Sequence, residues 1–467
     1  MNDSRWQARW TPCALLVGFT LLFHLGILAN PGFHSHDEWE KFDQLRASGF
    51  WGAARGYLLP HAGTDFGHPV RPIGFLQQLA SAHWMAAAPI LPHLFDVLLH
   101  ALVSVVILLA LRDAGATPGL ALLVALGFSA SPLTTMATGW VGASFDQWYV
   151  LFACLAGWAG WRAATLGMTW RRAVALLAAA SAAILSKEAA VMLPAALALL
   201  MALAWLERSS GGRFHPGAAA AAVLVAALPV LAYLLFRLPA LQASFAGGAP
   251  AAYAPSLGHV WRNMLGYFAF PFMPHGGDFP PVSPWYAPRI LLGVGLHALL
   301  VAGVVAYGSA RRALVYLLAY AAFLVPVLPL ARPWGHYLHG AAPAMALATG
   351  FVLAAAWRAR RWPALAVAAV GLGVMTANAA LIQVRLYQDG RCQGNFLTSL
   401  ESRLAQDPAG TVVIDVAPGA RFWVGTRAIH DRGPPFSDAA GQPRAAFGAA
   451  QVSGAVRLTM GADCLLR

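Results

Sequence analysis

Long apolar runs separated by short polar linkers make up most of the chain. A helix needs roughly 20 apolar residues to cross the hydrocarbon core of a bilayer, and about eleven runs approach that length. Their predicted limits are 11–30, 90–111, 119–137, 145–161, 173–186, 189–206, 217–237, 289–308, 313–330, 341–357 and 363–384. The pattern therefore predicts an all-α polytopic membrane protein with a bundle of about eleven transmembrane helices.

The basic residues of the linkers predict how this bundle is oriented. They cluster at 162–172, 207–215, 309–312 and 358–361. Basic linkers tend to stay in the cytoplasm, so we expect these clusters and the N-terminus on that side. Counting 259–273 as a further span would move the last two clusters outside. We therefore interpret that stretch as an interfacial or re-entrant helix on the outer face.

The outer face then collects the long loops of the membrane domain, residues 1–384. The first loop covers 31–89, and a second loop covers 238–288 and contains the interfacial helix. The tail from about residue 385 lies on the same side. Most of the unusual polar residues of the chain fall on this face, so we expect the functional site there.

The tail differs in character from the apolar runs and predicts a small α/β extracytoplasmic domain, residues 385–467. Its predicted elements are an amphipathic helix at 393–406 and strands at 411–416 and 456–460. About 80 residues make a small core, so the domain is expected to lean on the membrane part or on a disulfide. Cys392 and Cys464 are available for such a bridge outside the cytoplasm, and the sequence leaves their pairing open.

The composition agrees with a membrane protein and argues against a soluble domain or a nucleic-acid-binding protein. Hydrophobic residues make up 59% of the chain and charged residues 11%, far from the balance of a soluble domain. The formal net charge is +12, but the basic residues lie between apolar runs. We therefore expect a lipid bilayer and no nucleic acid as partner. The sequence contains no GxGxxG or P-loop pattern of a nucleotide site.

Ionisable residues are densest at 34–40, directly after the first apolar run. This segment holds two His, one Asp and two Glu. Adjacent carboxylates at a membrane boundary carry desolvation and repulsion costs, and such costs usually mark a functional site. A first loop that only has to be polar is the alternative. Solvation alone does not require this set of residues, and we favour a functional role.

Further motifs follow in a recognisable order. They are Asp37-Glu38, His68-Pro69-Val70-Arg71-Pro72-Ile73, 92–100, Ser131-Pro132 with Gly139-Trp140 and Asp146, Ser186-Lys187-Glu188-Ala189 with Pro194, 261–274, and Trp334-Gly335-His336-Tyr337-Leu338. Over residues 11–345 this order resembles the GT-C glycosyltransferases that use polyprenyl-phosphate sugars. It is most similar to bacterial relatives of the transmembrane and tetratricopeptide-repeat O-mannosyltransferases, and more distantly to protein O-mannosyltransferases and lipid A aminoarabinose transferases. The chain departs from that family because no tetratricopeptide array follows and the turn at 140–146 lacks a basic residue.

The resemblance implies a GT-C-like bundle that performs an inverting glycosyl transfer. Asp37 would be the catalytic general base, and Glu38 would assist it or share a divalent cation, Mg²⁺ or Mn²⁺, with it. No other cofactor is indicated, and the need for a metal stays open. The lipid-phosphate leaving group calls for cations, and Arg71, Lys187 and Arg332 are the ones expected on this face. The full set expected to contact substrate is His36, His68, Arg71, Asp146, Lys187, Glu188, Arg332, His336 and Tyr337.

Structural roles are the alternative for several of these residues. Arg71 and Arg332 would then only snorkel at the interface. Lys187 and Glu188 would form an ion pair that caps a turn, and Asp146 would cap a helix. Three further polar residues share one helical face and are expected to hold helices together: His93, Asp96 and His100.

The sequence thus favours a multi-pass glycosyltransferase of the bacterial inner membrane, with its active face and C-terminus in the periplasm. Its partners would be a polyprenyl-phosphate-linked sugar and a glycan, lipid or protein acceptor. One alternative is an O-antigen-type ligase or polymerase that uses a pyrophosphate-linked donor, although its large reactive loop would be expected late in the chain. The other is a transporter or flippase of envelope lipids, for which charges deep within spans and internal repeats would be expected.

Overall fold

The computed structural model describes residues 3–58, 70–85, 87–207, 213–243, 254–274, 287–408, 410–430, 432–438, 440–448 and 454–467. The chain is mostly helical, and a small sheet lies near its C-terminus. The helices are α1 (Asp3–Phe23), α2 (Leu25–Leu28), α3 (Asp37–Leu58), α4 (Pro72–Met85), α5 (Ile90–Asp113), α6 (Pro118–Ser129), α7 (Pro132–Gly139), α8 (Ser144–Leu166), α9 (Trp170–Ile184), α10 (Leu193–Glu207), α11 (Pro216–Ala243), α12 (Leu257–Ala269), α13 (Ala287–Tyr307), α14 (Ala310–Ala322), α15 (Ala342–Arg358), α16 (Trp362–Gln406) and α17 (Phe422–Ile429). The strands are β1 (Val412–Val416), β2 (Ala445–Phe447) and β3 (Val456–Met460).

The protein is a multi-pass membrane protein, but the predicted number of spans is not confirmed. Within the described ranges, six helical segments are long and apolar enough to cross a bilayer: Ile90–Asp113, Glu188–Leu206, Pro216–Gln242, Ala287–Tyr307, Gly335–Arg358 and Trp362–Gln406. Helices α6 and α7, bent by 54° at the Ser131-Pro132 break, give a seventh if they count as one span. Helices α9 and α14 have only 15 and 13 residues, shorter than a full span.

Helix α14 shows why a predicted span at 313–330 falls short. It ends at Ala322, and the chain continues in turns through residue 330. Pro326 and Pro329 lie in this segment, and each proline lacks the N–H that a continuing helix needs. The polar backbone exposed by this irregular segment then requires hydrogen-bond partners from elsewhere in the protein.

Helix α12 supplies those partners. Asn263 donates hydrogen bonds to the carbonyl oxygens of Leu328 and Leu330, at 2.9 and 2.8 Å, and the Arg262 guanidinium donates to Ala331 at 2.9 Å. The face that looks outward is apolar and consists of residues four apart: Leu257, Trp261 and Leu265. Thirteen helical residues extend only about 20 Å, so α12 fits the predicted interfacial helix better than a span.

The C-terminal domain is built on the second half of α16, which runs without a break past the predicted boundary at residue 384. The three strands form a parallel sheet in the order β2-β1-β3, and the strands expected at 411–416 and 456–460 are both present. Phe396, Leu400 and Leu404 of α16 pack against Ile414 and Met460 in the core of this domain.

A disulfide between Cys392 and Cys464 closes the domain. Their Cα atoms are 5.1 Å apart, within the normal range for a bridge. The bridge joins α16 to the segment after β3, across 72 residues of sequence. The two other cysteines, Cys13 and Cys154, are thiols.

We predict that replacing both bridged cysteines, in Cys392→Ser/Cys464→Ser, lowers the melting temperature of the purified protein. Closing a loop of this length stabilises a fold by about 4 kcal/mol in the chain-entropy treatment, because the unfolded chain is restricted. Thermal melting in detergent measures the effect, and Cys154→Ser is the matched control. Equal melting of the double variant and the control, or two free thiols in the native protein by mass spectrometry, would contradict the prediction.

Candidate functional site

Asp37 is the first residue of α3 and is open to solvent. Its side chain is 37% exposed. The Ser35 hydroxyl donates a hydrogen bond to Asp37 Oδ2 at 3.1 Å, and His36 Nε2 lies 3.5 Å from Asp37 Oδ1. A helix N-terminus also favours a carboxylate. Asp37 is therefore held in place by its neighbours while remaining accessible to a substrate.

The adjacent carboxyl, Glu38, has the opposite environment. It is 2% exposed, and its Oε2 accepts a hydrogen bond from the Ser35 N–H at 3.1 Å. Its other oxygen, Oε1, has no hydrogen-bond partner among the residues that the structure describes. Burial, and then the nearby charge of Asp37, raise the pKa of Glu38 to about 7. Two neighbouring carboxyls thus differ in role: one faces out, and one is a buried acid that holds its proton near neutral pH.

A divalent cation shared by Asp37 and Glu38 was predicted, and a metal site usually needs further ligands. Within the described parts of the chain, no group of three or more His, Cys, Asp or Glu side chains is arranged to hold a metal ion. Asp37 is exposed to solvent whereas Glu38 is buried, so the two carboxyls do not face one common space. A cation bound by these two residues stays a prediction, and none of the chemistry proposed for Asp37 depends on it.

Aromatic rings surround the approach to Asp37. Gly142 lies against this residue, since a Cβ built on Gly142 would be 3.1 Å from the Cβ of Asp37 and 2.5 Å from Trp140 Nε1. The Trp140 ring meets the rings of His34 and His336 edge-on, at centroid distances of 5.3 and 4.9 Å. The turn after α7 therefore needs a glycine, and it places His336 in the same cluster as the 34–40 segment.

Two ion pairs lie beside this cluster. Lys187 Nζ donates to both carboxylate oxygens of Asp146, at 2.5 and 2.6 Å. Arg71 forms a bidentate pair with Glu188, at 2.6 and 2.8 Å. Lys187 therefore pairs with a residue of α8, and Glu188 pairs with the residue just before α4. The two neighbours do not pair with each other. Arg71 and Lys187, the two cations expected to contact phosphate, are both engaged by carboxylates in this structure.

The remaining predicted residues are placed differently. Tyr337 is nearly buried, and its ring lies 4.8 Å from Lys187 Nζ, which connects the ion pairs to the 335–341 segment. Arg332 is exposed and forms no ion pair with any residue that the structure describes. His68 lies outside the described residues. Of the predicted residues, the structure thus brings Asp37, with His36 beside it, and His336 near Trp140, and it places Asp146, Lys187 and Tyr337 next to His336.

Helix α17 of the C-terminal domain reaches the same site, and no pattern in the sequence predicts this contact. Arg427 Nη1 lies 3.2 Å from His34 Nε2, and the guanidinium is 5.7 Å from the centre of the Trp334 ring. The His430 ring lies 4.8 Å from that of His36. No spacing in the tail marks these residues, because they approach the 34–40 segment only through the docking of a separate domain.

The polar face of α5 is fully buried and lies behind the site. His93 Nε2 is 2.9 Å from the Gly32 carbonyl oxygen, and His100 Nε2 is 3.1 Å from that of Ser129. Asp96 is also buried, with Gln77 Nε2 at 3.5 Å from its Oδ1. These contacts join α5 to the segment before Asp37 and to the break between α6 and α7, as expected for residues that hold helices together.

Comparison with known proteins adds no family to this picture. No protein-family model matches the chain, and a search of curated proteins gave no significant match. The case for a function therefore depends on the geometry of the site and on the order of the motifs.

We predict that Lys187→Met destabilises the protein strongly, because it leaves the Asp146 carboxylate buried without its partner. Breaking a buried pair from one side costs about 3–5 kcal/mol. The double variant Lys187→Met/Asp146→Leu should recover most of the loss, as seen by thermal melting in detergent. Arg457→Gln is the control, because its pair with Asp415 is exposed and worth no more than about 1 kcal/mol. Equal melting of Lys187→Met and the control would contradict a buried ion pair.

We predict that Glu38→Gln removes part of the pH dependence of stability. The pKa of Glu38 is raised from 4.5 to about 7 on folding, so the folded state is favoured most below about pH 4.5. That advantage is lost as the pH rises towards 7, and it amounts to roughly 3 kcal/mol. Melting temperatures between pH 5 and 8 should therefore fall more steeply for the wild type than for Glu38→Gln. Parallel slopes would show that Glu38 ionises normally; Asp415→Asn controls for removal of an exposed carboxylate.

Proposed function

We propose that this protein is an integral-membrane inverting glycosyltransferase that moves a sugar from a polyprenyl-phosphate donor to an acceptor hydroxyl. The observation that carries the proposal is the contrast between Asp37 and Glu38 at the start of α3. Asp37 is accessible and positioned by Ser35 and His36, whereas Glu38 is buried. A general base needs such access, and burial of Glu38 disfavours a second negative charge beside it.

The reaction would proceed in one displacement. The acceptor hydroxyl gives its proton to Asp37 as its oxygen attacks the anomeric carbon of the sugar. The bond from that carbon to the phosphate oxygen breaks, and the electron pair leaves with the lipid phosphate. Attack from the face opposite the leaving group inverts the configuration, and a carboxylate within hydrogen-bond reach of the hydroxyl is the group that such a step requires.

The aromatic and cationic surroundings support the substrate side of the proposal. Trp334, which is partly exposed and lies beside the buried rings of Trp140 and His336, offers an aromatic face of the kind that packs against a sugar ring. Arg332 is exposed two residues before Trp334 and is available for the donor phosphate. A leaving phosphate is stabilised by such fixed positive charge as it forms.

The active face would be periplasmic, in a bacterial inner membrane. Asp113, at the far end of α5 from the site, meets Arg162 of α8 at 3.4 Å, which supports placing the basic linker at 162–172 at the end of the bundle away from the site. Positive linkers favour the cytoplasm. The Cys392–Cys464 bridge also fits an oxidising compartment on the side of the site.

A transporter of envelope lipids is the second candidate, and one observation favours it. His24, His100 and His339 are buried, with ring centroids of neighbouring members 5.2 and 5.9 Å apart. Ionisable groups deep in a bundle are typical of transport paths. An O-antigen-type ligase or polymerase with a pyrophosphate-linked donor is distinguished from our proposal by the donor that it accepts.

We predict that the purified protein in nanodiscs releases labelled sugar from one member of a panel of radiolabelled polyprenyl-phosphate sugars. Asp37→Asn should lower this rate by about 100-fold or more, because it removes the base with almost no change in shape. Asp415→Asn, a change of the same kind on the exposed face of the C-terminal domain, is the matched control. Full activity of Asp37→Asn would remove Asp37 from the mechanism. Turnover of pyrophosphate-linked donors alone would favour the ligase.

A further inference from the structure

Gln393, in the second half of α16, contacts the segment that carries Asp37 at three places. Its side-chain Oε1 accepts hydrogen bonds from the Phe33 N–H and from Trp39 Nε1, both at 3.0 Å. Its Nε2 donates to the Ser35 carbonyl oxygen at 3.3 Å. The side chain is buried, so these bonds do not compete with water. One glutamine of the C-terminal domain thus fixes both ends of the 33–39 segment.

Ser35 connects this glutamine to the two carboxyls. The Ser35 hydroxyl donates to Asp37 Oδ2 at 3.1 Å, and the Ser35 N–H donates to Glu38 Oε2 at 3.1 Å. The carbonyl oxygen of the same residue is the atom that Gln393 holds. The backbone of Ser35 therefore cannot shift without moving the groups that orient both carboxyls. Gln393 is two hydrogen bonds away from the proposed base and acts on it only through Ser35 and α3.

The fold of the C-terminal domain determines where Gln393 lies. The residue before it, Cys392, is bridged to Cys464 in the segment after β3. A second contact joins the domain to α3, since the buried Arg432 meets Asp43 at 2.7 Å. The domain therefore holds the start of α3 from two sides, and Gln393 is the contact nearest to Asp37 in sequence and in hydrogen bonds.

We propose that Gln393 is a positioning residue for the Asp37 base, so that the C-terminal domain contributes to catalysis by holding the 33–39 segment. The inference rests on the proposed function and adds the group that sets where its base stands. A base accepts a proton only within hydrogen-bond reach, and a displacement of about 1 Å can cost about 100-fold in rate. The exposed Asp37 carboxylate has few restraints of its own. Gln393 itself exchanges no proton, and the acceptor proton still goes to Asp37.

The test measures kcat and KM for release of labelled sugar by the full-length protein in nanodiscs, with the polyprenyl-phosphate sugar that the wild type turns over. We expect Gln393→Met to lower kcat by about 10-fold or more and to change the KM of the donor by less than about 2-fold, because the base is displaced while the donor keeps its contacts. Gln383→Met is the matched control. It removes another buried glutamine of α16, whose Nε2 donates to the Phe23 carbonyl oxygen at 3.0 Å, and it should keep the kcat of the wild type.

Two further measurements follow the hydrogen bonds themselves. Trp39→Phe keeps an aromatic ring and removes the N–H that Gln393 accepts, so it should lower kcat by several-fold in the wild type and not further in Gln393→Met. Hydrogen–deuterium exchange of the peptide 33–40, followed by mass spectrometry, reports the Phe33 N–H. Exchange should be faster in Gln393→Met than in the wild type and unchanged in Gln383→Met, because only the first variant removes the acceptor.

The outcomes separate this inference from the function on which it rests. A wild-type kcat in Gln393→Met, or a raised KM with kcat unchanged, would overturn the role of Gln393 and leave the glycosyltransferase standing. Absence of turnover by the wild type with every donor would overturn both. If Gln393→Met does not fold, as judged by its melting curve, Trp39→Phe decides: an unchanged kcat would overturn the proposal, and a several-fold loss at an unchanged melting temperature would support it.

Discussion

Charges in a membrane-embedded bundle have to be neutralised, and four charged side chains, two buried and two partly buried, meet beside the candidate site. Lys187 pairs with Asp146, and Arg71 pairs with Glu188. The pairs join the starts of α4, α8 and the turn before α10, three places that are distant in sequence. Each charge would be very costly alone in a low dielectric, so the three ends are held at one spacing. The 335–341 segment follows through the contact of Lys187 with Tyr337.

The two carboxyls at the start of α3 differ in exposure. Glu38 turns inward, towards the bundle, and Asp37 remains on the surface with its aromatic neighbours. Gln393 then ties the segment to the C-terminal domain, which reaches over the site with α17. The 33–39 segment is therefore joined to both the membrane bundle and the C-terminal domain, and we expect a change in that domain to alter the surroundings of Asp37.

The features predicted correctly from the sequence are those that depend on residues close together in the chain. Apolar runs predicted an all-α membrane protein, and alternation predicted the strands at 411–416 and 456–460, because both signals depend on near neighbours in the chain. The predicted number of spans is not confirmed, and one predicted span is shortened where prolines interrupt an apolar run, after Ala322. The pairing of Arg71 with Glu188 joins residues 117 apart in sequence, and no spacing rule reaches that far. Arg427 was missed for the same reason, since only the docking of a domain brings it to His34.

We propose that one end of the bundle binds a lipid phosphate next to Asp37. Photo-crosslinking tests it most directly, with a polyprenyl-phosphate sugar that carries a diazirine on its first isoprene unit and with mass spectrometry to locate the labelled peptides. The account predicts label in 34–40, 334–341 or 421–430, and competition by excess unlabelled lipid. Label confined to the opposite end, around Arg162 and Arg312, would contradict it, as would label that the unlabelled lipid does not displace.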